Sequence, residues 1–221
     1  MKKVLVVAAH LDDEVLGVGG TMARHARDGD EVFELNVCDR SERHRFDAEM
    51  VSTLRLQARK MCEIIGVKEL LHGKLADEYL DVSLADVIRP IEEAIERIQP
   101  DVVYTHHKGD VNQDHRAVFE ATLVATRAFT YPFVREVYSY EILSSTEQAP
   151  AFPGWQFAPA IFIDISTTIK QKIRGMKCFK TEINGFPFPR SQKGIEAMAQ
   201  VRGMQSFYEY AEAFEVIRVR R

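Results

Sequence analysis

Closely spaced cysteines are absent from this chain. Its three cysteines, Cys38, Cys62 and Cys178, lie far apart in 221 residues, and none belongs to a CxxC pair. An odd number at these spacings argues against a disulfide framework and against cysteine zinc ligands. We therefore expect buried, reduced thiols in a cytoplasmic protein.

Long apolar runs and an excess of basic residues are also missing. No stretch approaches the roughly 20 apolar residues of a transmembrane helix. The start, Lys2 to Ala9, resembles that of a signal peptide, but its apolar run is short and ends at a histidine and two aspartates. The net charge of −4 provides no basic field for nucleic acid. We expect neither a membrane span nor a nucleic-acid partner.

Strand and helix patterns alternate through about the first 130 residues, which predicts right-handed βαβ units, a mainly parallel sheet and the α/β class. No repeat or flexible linker interrupts residues 1–221, so we expect one domain. Continuous aliphatic or alternating runs predict strands at 3–9, 31–38, 68–71, 101–105, 136–142, 160–165 and 214–219. Helical periodicity predicts helices at 15–27, 47–65, 83–98, 112–129, 167–181 and 191–211, the third opening with a Ser83–Asp86 capping box.

Metal-ligand residues concentrate in two segments that directly follow predicted strands. Residues 9–14 read Ala-His-Leu-Asp-Asp-Glu, and residues 105–116 read Thr-His-His-Lys-Gly-Asp-Val-Asn-Gln-Asp-His-Arg. In an open α/β sheet, ligands bind at the carboxyl ends of the strands, above all where the strand order reverses. If the first and fourth strands are neighbours there, the two segments meet.

Spacing within these segments predicts a catalytic metal site. His10 and Asp13 are three residues apart where the chain enters a helix, and His115 lies in the first turn of another helix. Two histidines, one carboxylate and an open position are typical of catalytic zinc, which binds and acidifies a water. Asp12 is then the natural general base. The alternatives are a solvated loop or helix-capping pair at 10–13 and a structural His115.

The glycines at 17, 19 and 20 resemble a dinucleotide-binding loop only loosely, because they fall inside the predicted helix. The acidic turn before them would also repel a pyrophosphate. We interpret these glycines as positions where the helix packs closely on the sheet.

These segments resemble the motifs of the PIG-L/LmbE-like deacetylases. Residues 9–14 are similar to the AHPDDE signature, with Leu11 in place of proline, and residues 110–116 are similar to a D-x-N-x-D-H-R motif; segments 188–191 and 210–214 also match recurrent family segments. The resemblance implies a Rossmann-like three-layer sandwich and zinc-dependent removal of acetyl from an N-acetylated amino sugar. It implies Zn²⁺ on His10, Asp13 and His115, Asp12 as the base, and a homo-oligomer.

Several positions depart from the family pattern. Asn112 stands where several branches have a histidine credited with stabilising the oxyanion or donating a proton, and His107, or less plausibly His106, is expected to compensate. Arg55 lies in place of a substrate-contacting arginine, although its R-x-x-E context is missing, and Phe188 replaces a common histidine. Arg116 either binds substrate or pairs with a neighbouring carboxylate.

The leading hypothesis is a deacetylase of a GlcNAc-type sugar that is free, nucleotide-linked, lipid-linked or part of an antibiotic or surface glycan. The alternatives are a Mg²⁺-dependent phosphohydrolase using Asp12 and Asp13, which the histidines disfavour, and a non-catalytic carbohydrate-binding relative. Loops 39–46, 73–81 and 144–159 are expected to set specificity. In the last, Trp155 with Phe152 and Phe157 forms either a platform for a sugar ring or a core or subunit contact.

Overall fold

The computed structural model describes residues 1–39 and 48–221. The strands are β1 (Lys3–Ala8), β2 (Glu31–Asp39), β3 (Glu69–Ala76), β4 (Val102–His106), β5 (Glu136–Tyr140), β6 (Ile161–Asp164) and β7 (Ala211–Val219). The helices are α1 (Asp13–Arg27), α2 (Ala48–Ile65), α3 (Leu84–Ile98), α4 (Gln113–Ala125), α5 (Ile169–Met176) and α6 (Gln192–Ser206). No helix in these described ranges is long and apolar enough to cross a bilayer.

All seven strands form one sheet in the order β3-β2-β1-β4-β5-β7-β6. Strands β1 to β5 pair in parallel, and β7 runs antiparallel between β5 and β6. After β1 the chain winds outward to β2 and β3 and then returns to β4 on the other side of β1. The order therefore reverses between β1 and β4. This confirms the predicted mainly parallel α/β sheet and meets the condition that these two strands are neighbours.

Two apolar clusters cover the two faces of the sheet. One packs α1, α2 and α5 on the sheet, and the other packs α3 and α4 on it. Gly17 lets α1 approach closely, because an added Cβ would lie 2.3 Å from Cδ2 of Tyr140. Gly20 meets Ile165 in the same way, at 2.8 Å. The interpretation of these glycines as packing positions is confirmed.

The structure corrects several predicted boundaries. Strand β3 extends to Ala76 because it pairs with β2 along most of its length. The predicted 191–211 helix ends at Ser206, where Phe207 takes a left-handed conformation (φ 62°) and donates its N–H to Gly203. Strand β7 starts at Ala211 because pairing with β6 overrides the helical pattern. Ser83 precedes α3, but its side chain makes no capping hydrogen bond, so the predicted capping box is wrong.

Candidate metal centre

The sheet edge at the β1–β4 reversal brings the two ligand-rich segments together. His10 follows the end of β1, and Asp13 opens α1. His115 lies in the first turn of α4, which follows β4 after a short loop. All three side chains are buried. Strand adjacency thus places residues more than a hundred positions apart in sequence at one point.

His10, Asp13 and His115 present their donor atoms to one another. Nδ1 of His10 lies 3.1 Å from Oδ2 of Asp13, and Nε2 of His115 lies 3.2 Å from the same oxygen. One donor atom from each of the three residues falls within 4.8 Å of the other two. This separation allows the three atoms to share one cation.

The donor atoms of His10, Asp13 and His115 match those of a metal site. Nε2 of His115 is buried and has no hydrogen-bond partner among the described residues, although Asp13 Oδ2 is near. A buried polar atom without a partner is costly and calls for an explanation. Two imidazoles and a carboxylate are the donor types of catalytic zinc sites. The arrangement therefore fits zinc.

The carboxylates around the centre stabilise positive charge on its two histidines. Burial opposes ionisation of Asp13, yet the charge of His115 and the hydrogen bond from His10 hold the pKa of Asp13 well below the ordinary value. Burial works against a charge on His115 too, but Asp13 and Asp110 raise its pKa to about 9. Burial also works against a charge on His10, but its hydrogen bonds to carboxylates, first to Asp114, raise its pKa well above the ordinary value.

The second ring nitrogen of His10 faces two further carboxylates. Nε2 lies 2.8 Å from Oδ1 of Asp77 and 3.0 Å from Oδ2 of Asp114. Asp114 also accepts hydrogen bonds from the backbone N–H groups of Glu78 and Leu80, at 2.7 and 3.1 Å. A carboxylate on the second nitrogen of a metal-binding histidine fixes its tautomer and orientation. Sequence reasoning assigned Asp77 and Asp114 no role.

Asp12 is buried with a strained backbone and a cationic partner. Its φ of 113° is unusual for a residue with a side chain. Its side chain makes no helix-capping bond, so the capping alternative is wrong for this residue. Instead, Oδ2 accepts a 2.7 Å hydrogen bond from Nη1 of Arg190, which also bonds Glu182 at 3.1 Å. Glu14 accepts the Asp12 backbone N–H at 3.1 Å.

Arg190 was missed as a site residue by sequence reasoning. The segment 188–191 had been singled out only for its family likeness. Nε of Arg190 also donates to Ser144 at 2.7 Å, so the guanidinium joins three separate parts of the chain. No periodicity or spacing links position 190 to position 12, and only the fold shows their contact.

Asn112 and Asp110 shape the loop before α4. The Asn112 side chain caps the helix by accepting the Asp114 N–H at 2.9 Å. Asp110 lies 3.2 Å from Nδ1 of His115 and accepts hydrogen bonds from the hydroxyls of Ser145 and Thr146. The pKa of Asp110 falls to about 2, because the bond with His115 outweighs burial. This carboxylate fixes the His115 ring.

The structure places His106 and not His107 against the centre. His106 stacks on His115 with ring centroids 4.0 Å apart, and its Nε2 accepts the Ala9 N–H at 2.9 Å. Burial, aided by the charge of His115, lowers the pKa of His106 well below its ordinary value, which favours a neutral ring. His107 turns away, and its nitrogens bond Glu215 and the Trp155 carbonyl at 2.8 and 3.0 Å. The expectation that His107 lies in the site is therefore corrected.

The two arginines predicted to contact substrate lie in different surroundings. Nη1 of Arg116 donates to the carbonyls of Asp110 and Val111, at 2.7 and 2.8 Å, and the guanidinium lies 5.9 Å from the Trp155 ring centroid. It thus binds backbone carbonyls, where we had expected either a carboxylate or substrate. Arg55 is exposed on α2. A substrate contact for either arginine stays a prediction.

A cavity of about 340 Å³ opens onto the centre. It is lined by residues from both motifs and from three other segments: His10, Asp12, Asp13, Asp77, Glu78, Val111, Asn112, His115, Ser144, Ser145 and Arg190. Loops 73–81 and 144–159 thus contribute to it, as predicted, whereas loop 39–46 lies outside the described residues after its first position. The volume is within the range of small-molecule sites.

Two buried glutamates, Glu14 and Glu34, lie close to each other and near Asp12. Glu14 and Glu34 each have one carboxylate oxygen without a hydrogen-bond partner among the described residues. Burial raises the pKa of Glu34 to about 8, although the Cys62 thiol donates to it. Burial and the charge of Glu34 raise the pKa of Glu14 well above its ordinary value. At least one carboxyl of this pair holds a proton at neutral pH.

We expect Glu34→Gln to change how stability depends on pH. The folded-state pKa of about 8 exceeds the ordinary 4.5, so the folded protein retains a proton that the unfolded chain loses between these values. The free energy of unfolding of the parent therefore falls as the pH rises through this window. Glutamine mimics the protonated acid, so the variant should melt at least about 5 °C higher than the parent at pH 8.5. At pH 5 the two should nearly coincide.

Thermal unfolding across the pH range checks this, with Glu93→Gln, an exposed change on α3, as the matched control. The control should leave the pH dependence of the parent unchanged. Equal destabilisation by Glu34→Gln at every pH would contradict the assignment of a protonated Glu34.

Comparisons with known proteins point to one family. The sequence model of PIG-L, described as GlcNAc-PI de-N-acetylase, matches residues 5–126. The chain is 31% identical over 149 residues to the uncharacterized deacetylase YaiS of Escherichia coli (strain K12), covering 65% of this chain and 76% of YaiS. It is 24% identical to the diacetylchitobiose deacetylase of Thermococcus kodakarensis, with 98% of this chain and 84% of that protein covered.

Solved structures with this fold are not confined to deacetylases. GalB of Pseudomonas putida KT2440, a 4-carboxy-2-hydroxymuconate hydratase, superposes with a TM-score of 0.73 at 23% identity. The match covers 100% of this chain and 98% of GalB. Likeness at this level shows the fold, and the reaction has to be argued from the site.

Proposed function

The chain belongs to the PIG-L family of de-N-acetylases, and from this premise we propose that it is a zinc-dependent hydrolase that removes acetyl from an N-acetylated amino sugar. The observation that carries the proposal is the convergence of His10, Asp13 and His115 beside Asp12 in one cavity. Family membership supports deacetylation, and the diacetylchitobiose deacetylase relative supports a sugar substrate.

His10, Asp13 and His115 would hold the zinc. When bound, zinc would lower the pKa of a bound water toward neutral and would polarise the amide carbonyl. Asp114 and Asp77 hold the His10 ring by its second nitrogen, and Asp110 holds His115 in the same way. The orientation of both imidazoles thus depends on carboxylates that need not touch the substrate.

Asp12 acts as the general base in this proposal. It lines the cavity without being one of the three zinc-binding residues, and its Oδ2 accepts a hydrogen bond from Arg190. Asp12 takes a proton from the attacking water and returns it to the leaving amine. Neither His106 nor His107 lines the cavity, and His107 bonds Glu215. Asn112 lines the cavity and can donate a hydrogen bond from its amide to the developing oxyanion.

Arg190 positions the base in this scheme. We expect Arg190→Gln to lower kcat by about 100-fold with little change in KM, because Asp12 without its hydrogen-bond partner is misplaced relative to the attacking water. Zinc content should stay at about one per chain, and added guanidinium should restore part of the activity. A raised KM with unchanged kcat would instead assign Arg190 to substrate binding and contradict the positioning role.

The alternative functions are less well supported by the site. Mg²⁺ prefers oxygen donors, and two of the three donors are imidazole nitrogens. A non-catalytic carbohydrate-binding relative would not need buried Asp12 paired with half-buried Arg190 beside the metal-binding residues. Self-association and a GlcNAc-type substrate stay predictions of the family resemblance, and a cytoplasmic location stays a prediction from the cysteine pattern.

The proposal is tested by assaying release of primary amine and acetate from a panel of free, nucleotide-linked and lipid-linked N-acetyl sugars, with diacetylchitobiose included. Metal analysis should find about one zinc per chain, and chelation should abolish the release. Protein that holds zinc yet releases no amine from any member would overturn the proposal. Hydration of an unsaturated acid in place of amine release would assign it a reaction like that of GalB.

A further inference from the structure

A second group of metal-donor side chains lies on the far side of His10. It consists of His10, Cys38, Asp77 and Asp114, all buried, with one donor atom from each within 4.8 Å of the others. His10 follows β1, and Cys38 lies near the end of β2. Asp77 follows β3, and Asp114 lies in the first turn of α4. We propose that this group is a second, inhibitory metal site for a thiophilic divalent cation such as excess Zn²⁺ or Cd²⁺.

The donor chemistry supports such an ion. One nitrogen, one sulfur and two carboxylate oxygens make a four-donor set of the kind that zinc and its softer relatives bind. A thiolate among the donors selects against Mg²⁺ and Ca²⁺. Asp77 and His10 also line the cavity, so an ion in the cavity reaches the group directly.

The surroundings of His10 Nε2 also point to a cation. Asp77 and Asp114 place oxygens 2.8 and 3.0 Å from this one nitrogen. A single N–H cannot donate a well-aligned hydrogen bond to both. The Cys38 sulfur lies 4.0 Å from Oδ2 of Asp114 on the same side of the ring. Two carboxylates and a thiol therefore converge around Nε2 of His10, which offers a single N–H.

Inhibition follows because a neutral imidazole has only one nitrogen with a free lone pair. With the proton on Nε2, His10 offers Nδ1 to Asp13 and His115 and can serve the proposed catalytic centre. With the proton on Nδ1, which lies 3.1 Å from Asp13, it offers Nε2 to the second group. Binding a cation there moves the His10 proton between nitrogens and releases the Cys38 thiol proton to solvent. The catalytic centre then loses one of its three ligands.

Cadmium titration of the whole protein tests the site independently of the reaction. The ultraviolet thiolate-to-cadmium charge-transfer band should appear in the parent and be lost in Cys38→Ala. Cys62→Ala is the matched control, because Cys62 is also buried but lies against Glu34, and it should keep the band. Asp77→Asn should weaken cadmium binding by about 10-fold or more. Thermal unfolding of each variant checks that it is folded.

No band in the parent, or a band that Cys38→Ala leaves unchanged, would overturn the proposal. The inhibitory part rests on the proposed deacetylase function: excess zinc should inhibit the parent, and Cys38→Ala should require about 10-fold more zinc for the same inhibition. Equal inhibition of both proteins would contradict a role for this group. Because the cadmium band needs no substrate, an inactive protein that shows it would overturn the deacetylase and leave the second site standing.

Discussion

Asp12→Asn is expected to lower kcat by about 10²- to 10⁴-fold while the protein keeps its zinc. Asparagine has nearly the same shape as aspartate and can still accept the hydrogen bond from Arg190, but it cannot take a proton from the attacking water. KM should change little, because the substitution removes a proton acceptor and no described binding contact. Steady-state amine release, measured together with zinc content, checks this result.

Glu182→Asn is a suitable comparison for Asp12→Asn, because Glu182 is the other carboxylate partner of Arg190. We expect it to lower kcat by less than about 10-fold, since the base itself remains. Full activity of a zinc-loaded Asp12→Asn protein would eliminate Asp12 as the base. Loss of zinc from that variant would instead mean that Asp12 supports the metal.

The second large effect is expected for His115→Ala, which should abolish measurable activity by removing a zinc ligand. Metal content should fall from about one zinc per chain to a small fraction of that, because only His10 and Asp13 remain at the centre. The charge of Asp13, now without the nearby imidazole, would be poorly compensated. Metal analysis after dialysis against a weak chelator and thermal unfolding with and without zinc measure both consequences.

His107→Gln is the matched control for His115→Ala. Both histidines belong to the segment 105–116, but His107 bonds Glu215 and the Trp155 carbonyl on the other side of β4. We expect this variant to retain about one zinc per chain and to lose some stability. A His115→Ala protein that still binds zinc as tightly as the parent would contradict the proposed ligand set.

The fold was largely predictable from local patterns. Aliphatic runs of strand length and helical periodicity between them arise from burial on the two faces of a sheet, and burial leaves a period that can be read in one chain. The adjacency of β1 and β4 was a condition for the two ligand-rich segments to meet, and the pairing of Val4 with Val102 fulfils it. Boundaries were less predictable at 207–211, because β7 forms through pairing with distant strands.

Within the candidate site, sequence singled out the residues that share a motif. His10, Asp12, Asp13 and His115 occur in dense runs of metal-ligand types next to strand ends, and the structure brings them to one cavity. The sequence analysis preferred His107 to His106, and the structure reverses this choice. His106 ends β4 and stacks on His115, whereas His107 follows the strand and bonds Glu215, because successive side chains point to opposite faces. The side that each histidine faces depends on the register of β4 with its neighbours.

The sequence by itself determined the α/β alternation, the two ligand-rich segments and the family to which they belong. Only the tertiary structure decided that Arg190 reaches Asp12 and that Cys38 and Asp77 meet His10. The physical reason is that these contacts join segments far apart in the chain, 178 residues apart for Arg190 and Asp12. Local periodicity reports burial within one element, whereas such contacts are set by how the strands are ordered and how the connecting loops pack.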